Sequence, residues 1–138
     1  MRALVETGYT GTALLPIVDA PAVAAAMQAG VGATIQTTLG GQLDPKRFTP
    51  LPVDAYVKLL SDGHFVSESH GWPWDAGDSA LLQVGGITVV ATSRPVSLYD
   101  RSLFYAHGQD PQRFDAVVVK SPHCQKHMFA DWAAQMLN

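Results

Sequence analysis

The sequence predicts an α/β domain: a mixed β-sheet of about six or seven strands, helices packed against it, and antiparallel hairpins in the middle. Three observations carry this expectation. A strand, a short turn and an alanine-rich helix follow one another between Thr12 and Gly30. Two pairs of strand-like runs meet at Asp62-Gly63 and at Gly85-Gly86, dipeptides that supply the positive φ of tight hairpins. A fully apolar run, Ala116–Val119, closes the pattern after a short helical stretch.

The elements follow in chain order. Met1–Gly8 reads as the last turns of an amphipathic helix, ended by Gly8. Thr12–Val18 is of strand length and mostly apolar; Pro16 lacks an N–H and belongs at a sheet edge or strand end. Asp19 is placed to cap a helix whose first turn holds Pro21 and which Gly30 stops. Ala33–Leu39 alternates, with Ala33, Ile35, Thr37 and Leu39 on one face, until Gly40-Gly41 breaks it. Gln42–Pro50 is a polar loop. Leu51–Leu60 is a strand with Val53, Ala55, Val57 and Leu59 on a common face, and Ser61-Asp62-Gly63 turns it into a return strand at His64-Phe65-Val66. Ser67–Asp78 is a loop rich in Gly, Pro and Trp. Ala80–Val84 and Ile87–Thr92 form a hairpin. Leu98–His107 is a short helix stopped by Gly108, and from Cys124 onward the chain reads as helical again.

At 138 residues the chain is a single domain, large enough to bury roughly two-thirds of the surface its unfolded form exposes. It is 15% charged, against about 25% for an average soluble domain. So little charge implies a surface normally covered by a partner subunit or a neighbouring domain. The net charge is −3 and no basic run occurs, which argues against nucleic acid as a partner. No apolar run approaches the ~20 residues of a membrane span, and no signal-peptide order is present. One cysteine, Cys124, excludes an internal disulfide and fits a reduced, cytoplasmic thiol. Both ends read as cuts through something longer.

Several constellations have chemical potential. Val117–Val119 delivers Lys120, Ser121 and His123 just past a strand end, where ligands gather in α/β folds. His123 and His127 share a helix face if that segment is helical, with Cys124 beside them; the glutamate of His-Glu-x-x-His is absent. The alternative is a partly exposed helix start. Arg94, after the Val89-Val90 run, could meet a carboxylate bidentately or could be a solvated strand end. Trp72 and Trp74 with His70 form either a binding lip or a cap on the sheet. Gly40-Gly41 could cradle an anion or be a plain turn. No complete catalytic set can be assembled, and no metal ligand is assigned.

The order of several short stretches points to a family. They are Ile17-Val18-Asp19-Ala20-Pro21-Ala22-Val23, Gly30-Val31-Gly32, Thr38-Leu39-Gly40-Gly41, Asp62-Gly63-His64-Phe65, Gly86–Val90 with Thr92-Ser93-Arg94, Asp100–Phe104 with Gly108–Pro111, and Val117–Ser121. Together they resemble the C-terminal domain of the MlrC (microcystinase C) family, regarded as zinc metallopeptidases. After Lys120-Ser121 many relatives carry a His-Phe-Arg-Ala-like pattern, where this chain has Pro122-His123-Cys124-Gln125-Lys126-His127, so neither histidine is equated with the family's.

The resemblance implies a C-terminal accessory domain of a metal-dependent peptidase or amide hydrolase. The metal ligands are expected in a larger N-terminal domain, zinc belongs to the full-length protein, and residues 1–138 by themselves are expected to bind no cofactor and to be inactive. Arg94, Lys120, Ser121 and His123 are then candidate substrate contacts. Trp72 and Trp74 are candidate interface residues. The expected partners are the N-terminal domain and a peptide or amide substrate, with a homo-oligomer in reserve. Two other readings stand beside this one: a non-catalytic binding or oligomerisation module, and an independent small-molecule enzyme working at Lys120–His127.

Overall fold

The computed structural model describes residues 1–41, 44, 46–120 and 126–137, the backbone alone at 126. Strands β1 (Ala13–Val18), β2 (Thr34–Leu39), β3 (Leu51–Ser61), β6 (Ser79–Val84), β7 (Ile87–Thr92) and β8 (Ala116–Val117) form a six-stranded sheet in the order β2-β3-β6-β7-β1-β8. A second sheet pairs β4 (His64–Val66) with β5 (Pro73–Asp75). The helices are α1 (Arg2–Glu6), α2 (Ala20–Ala29) and α3 (Arg101–Ala106). The mixed sheet expected from the pattern is present: β1 runs parallel to β7 and β8, while β2-β3-β6-β7 are antiparallel.

Helices cover opposite faces because the two crossovers leave on opposite sides. β1 leads into α2, whose Ala22, Val23 and Ala26 pack with Leu15, Val57, Leu82 and Val89. β7 leads toward α3, whose Leu103 and Phe104 pack with Leu14, Leu81 and Val90. β7 is consequently buried along its whole length, as a strand covered on both faces must be. Two carboxylates fix the helix starts. Asp19 accepts from Ala22 N at 3.1 Å, and Asp100 accepts from Ser102 N at 2.9 Å. Asp19 also accepts from Gly40 N at 2.8 Å. The end of β2 therefore returns to the start of α2, and the N–H that could have cradled an anion serves an internal carboxylate.

Pro16 is neither on an edge strand nor at a strand end, since it lies within β1 between β7 and β8; the shortness of β8 is what accommodates it. Thr12 and Leu14 turn their carbonyls to β8, so Pro16, two residues on, faces the same side beyond the short pairing with β8. The Gly85-Gly86 hairpin, the α2 boundaries and the alternation of β2 are as expected.

Other expectations are corrected. Leu59 does not share the face of Val53, Ala55 and Val57. The pairing of β3 with β6 slips between Val57 and Leu59, so Leu60 joins the α2 face and Leu59 the α3 face. Ser61-Asp62-Gly63 is not a hairpin turn, since β3 pairs with β6 and the returning β4 pairs with β5. The loop expected over Ser67–Asp78 thus contains a strand. α3 begins at Arg101 instead of Leu98 because Asp100 caps it. β8 holds two residues, not four. The C-terminal segment has a 3-10 turn at Lys126–Met128 followed by turns, in place of a helix.

Candidate functional site

The small β4–β5 sheet builds the surface that brings together three of the sequence candidates, Trp72, Trp74 and Arg94. Gly63 and Gly77 let two chain segments cross in near contact. A Cβ at Gly63 would lie 2.0 Å from the Gly77 carbonyl oxygen, and Ala76 N donates to Gly63 O at 3.0 Å. Phe65 and Trp74 face each other across the pair, with ring centres 6.3 Å apart.

The loop between β4 and β5 is tied down from beneath. Asp100 is fully buried and accepts from Ser67 Oγ (2.5 Å), Ser69 Oγ (3.0 Å) and Ser69 N (3.2 Å). Burial works to raise the Asp100 pKa, but the hydrogen bonds of Ser67, Ser102 and Ser69 outweigh it and hold the carboxyl below its ordinary value. Glu68 forms a two-pronged ion pair with Arg101, which also donates to Met128 O at 2.7 Å. The loop, α3 and the C-terminal segment are thereby joined. Sequence reasoning missed Ser67, Glu68, Asp100 and Arg101 as a group. The signal that could have found Asp100 is an N-cap residue type just before Arg101, a position that the reading of a helix from Leu98 passed over.

Ser67, His70 and Asp100 have the composition of a nucleophilic triad but not its order. Ser67 lies between the other two, with His70 Nδ1 3.2 Å from Ser67 Oγ. The hydroxyl has a single proton and gives it to Asp100, so the His70 ring supplies the proton of the second contact. A hydroxyl so placed, 1% exposed, is a structural tie and not a nucleophile. The His70 ring instead sits against Trp72 (5.0 Å) and Trp74 (5.3 Å), forming an aromatic ridge.

Beside this ridge runs an open groove of about 510 Å³ between Trp72–Asp75 and Pro95-Val96-Ser97. A second depression of about 320 Å³ continues past Asp75 toward Asp62, His64 and Arg94. Arg94 pairs with Asp75, and both are well exposed. The His64 N–H holds the Asp62 carboxyl below its ordinary value. Arg94 therefore meets a carboxylate, but an internal one, and it joins Trp72 and Trp74 at one surface. Lys120 leaves the carboxyl end of β8, its N–H bonded to Leu98 O at 3.2 Å and its side chain exposed. His127 is exposed in the 3-10 turn. Ser121, His123 and Cys124 lie outside the described residues.

Among the described residues no group of three or more His, Cys, Asp or Glu is disposed to hold a metal ion. The buried carboxylates Asp19 and Asp100 have both oxygens engaged by protein donors. The buried His107 ring, with Nδ1 on Leu103 O at 2.7 Å, offers one free Nε2 and no second ligand. These residues do not fit a metal centre. No helix among the described residues is long and apolar enough to cross a membrane.

The family model described as MlrC C-terminus matches residues 1–138. The chain belongs to that family. A solved structure from Mesorhizobium sp. BNC1, of a protein named "Putative metallopeptidase", shares the fold of this MlrC C-terminal domain with a TM-score of 0.83 and 29% identity. The match covers 96% of this chain and 27% of that one, so the domain spans about a quarter of its neighbour's length. No curated protein matches.

Proposed function

We propose that this MlrC C-terminal domain is the accessory part of a zinc-dependent peptidase or amide hydrolase whose metal is held by a separate, N-terminal domain. The observation that carries the reading is the match to a protein named as a metallopeptidase, in which this fold makes up 27% of the chain. The metal's chemistry would polarise the scissile carbonyl and activate water. This chain's part is to wall the cleft: Arg94 and Lys120 stand at the carboxyl ends of β7 and β8, and Trp72 and Trp74 flank the adjoining groove. Ser121 and His123, in the segment after Lys120, complete the proposed contacts.

The test compares the purified domain with the full-length protein. Stoichiometric zinc and hydrolysis of a peptide library are expected from the full-length protein. Tight stoichiometric zinc on the isolated domain, or hydrolysis by it, would refute the division of labour. In the full-length protein, Arg94→Ala and Lys120→Ala should raise KM more than they lower kcat.

A second reading, a binding or oligomerisation module, draws on the exposure of Trp72 (56%), next to the small sheet, and of Val66 (62%), within it. Sedimentation of the domain decides it: a concentration-dependent dimer abolished by Trp72→Ser would favour it over the first.

A further inference from the structure

Among the described residues, ladder parity leaves one edge of the small sheet unpaired and facing the larger groove. Ser67 N donates to Trp72 O, and Ala76 N donates to Gly63 O. In an antiparallel pair, hydrogen-bonded and non-hydrogen-bonded positions alternate. Phe65 and Trp74 are then the bonded pair between them, while His64–Asp75 and Val66–Pro73 are non-bonded pairs. The backbone N–H and C=O of Asp75 and the C=O of Pro73 consequently point away from β4. Both residues are exposed, and both line the groove whose opposite wall is Pro95-Val96-Ser97. Proline has no N–H to leave unsatisfied here, which is why it is tolerated at an edge.

We propose that this edge of β5 binds an extended peptide by main-chain hydrogen bonding, as an added strand. The proposal rests on the peptidase reading for the occupant's identity as a substrate. The unpaired groups match a peptide backbone in number and spacing. A partner residue opposite Asp75 exchanges two hydrogen bonds with it, and the N–H two residues further along donates to Pro73 O. Three main-chain bonds at a three-residue strand give register without tight affinity, which suits a substrate that must leave. The tryptophan and histidine ridge on one side and Val96 on the other offer apolar contact to alternate side chains. Because the bonds are to backbone, recognition is for extended conformation more than for side-chain identity. Asp75 keeps its carboxylate on Arg94 and on Gly77 N (2.8 Å), so strand addition leaves those contacts in place.

The experiment uses the full-length protein and the uncharged probe acetyl-Thr-Val-Thr-Val-Thr-amide, followed by amide hydrogen exchange over residues 72–76 and by titration calorimetry. Saturating probe should slow exchange of the Asp75 amide about tenfold or more, and N-methylation of the three central amides should weaken binding at least about tenfold. Ser97→Phe, which fills the opposite wall, should do the same to the unmodified probe. Unchanged exchange at saturation, equal binding of the N-methylated probe, or no binding at millimolar concentration overturns the proposal. So does strong protection of the Asp75 amide before probe is added, which would mean that the rest of the protein already covers the edge. Probe binding at β5 without any hydrolysis by the full-length protein would instead sink the peptidase reading and leave the docking site standing.

Discussion

Ser67 Oγ donates to Asp100 Oδ2 at 2.5 Å across 33 residues of sequence, and this contact holds the aromatic loop to the start of α3. It links a side chain two positions before Ser69, which binds the same oxygen, to the cap of the helix that forms the second core. Removing the acceptor leaves the buried Ser67 hydroxyl and several part-buried donors unsatisfied.

Asp100→Ala should therefore destabilise the domain by about 3–4 kcal/mol, and Asp100→Asn by about half as much, since the amide oxygen still accepts. The folded carboxyl titrates below its ordinary value. Its stabilisation is present above the unfolded carboxylate pKa of about 4 and is lost as pH falls through the folded pKa. Urea midpoints of the wild type should drop in that acid window, and those of Asp100→Asn should drop less.

His107 gives proton linkage of the same sign as Asp100, in a higher pH window. Its ring is 1% exposed, and burial pushes its pKa down despite the Leu103 carbonyl, which pulls it up. Below about pH 6.5 the unfolded chain takes up a proton at this position that the folded chain refuses. The unfolded state then binds more protons, so stability falls as pH is lowered, by up to about 1.4 kcal/mol per pH unit. Denaturation at pH 7.5 and 5.5 should show this slope in the wild type and a smaller one in His107→Leu.

Arg101→Lys tests the staple between the loop and the C-terminal segment. Lysine keeps the charge but cannot grip Glu68 with two prongs while also reaching Met128 O. A loss of about 1–2 kcal/mol is expected, with faster amide exchange at Met128 and Phe129.

Gly63→Ala places a Cβ 2.0 Å from the Gly77 carbonyl oxygen, at a φ of +74°. Neither backbone can yield without moving the β4–β5 sheet. A destabilisation of about 2–4 kcal/mol is expected, along with a changed environment for Trp72 and Trp74 in near-ultraviolet circular dichroism.

What was legible before any coordinates were wherever signals are short in range. Asp19 with Pro21 starts α2, Gly30 ends it, and Gly85-Gly86 turns β6 into β7, because capping and positive φ act within a few residues. The mixed sheet and the family followed from the order of such stretches. Three-dimensional packing decided the rest. The slip at Lys58 moves Leu59 to the opposite face, an event that period-two alternation cannot anticipate. The partner of β4 is β5 and not β3, because the Gly63–Gly77 crossing carries the chain out of the main sheet. The meeting of Arg94 with Asp75, and of Ser67 with Asp100, spans 19 and 33 residues. Such pairings depend on how two hydrophobic faces settle against α2 and α3. The local chain specifies its own bends and caps, but which distant polar groups end within hydrogen-bond reach is set by the packing of the whole.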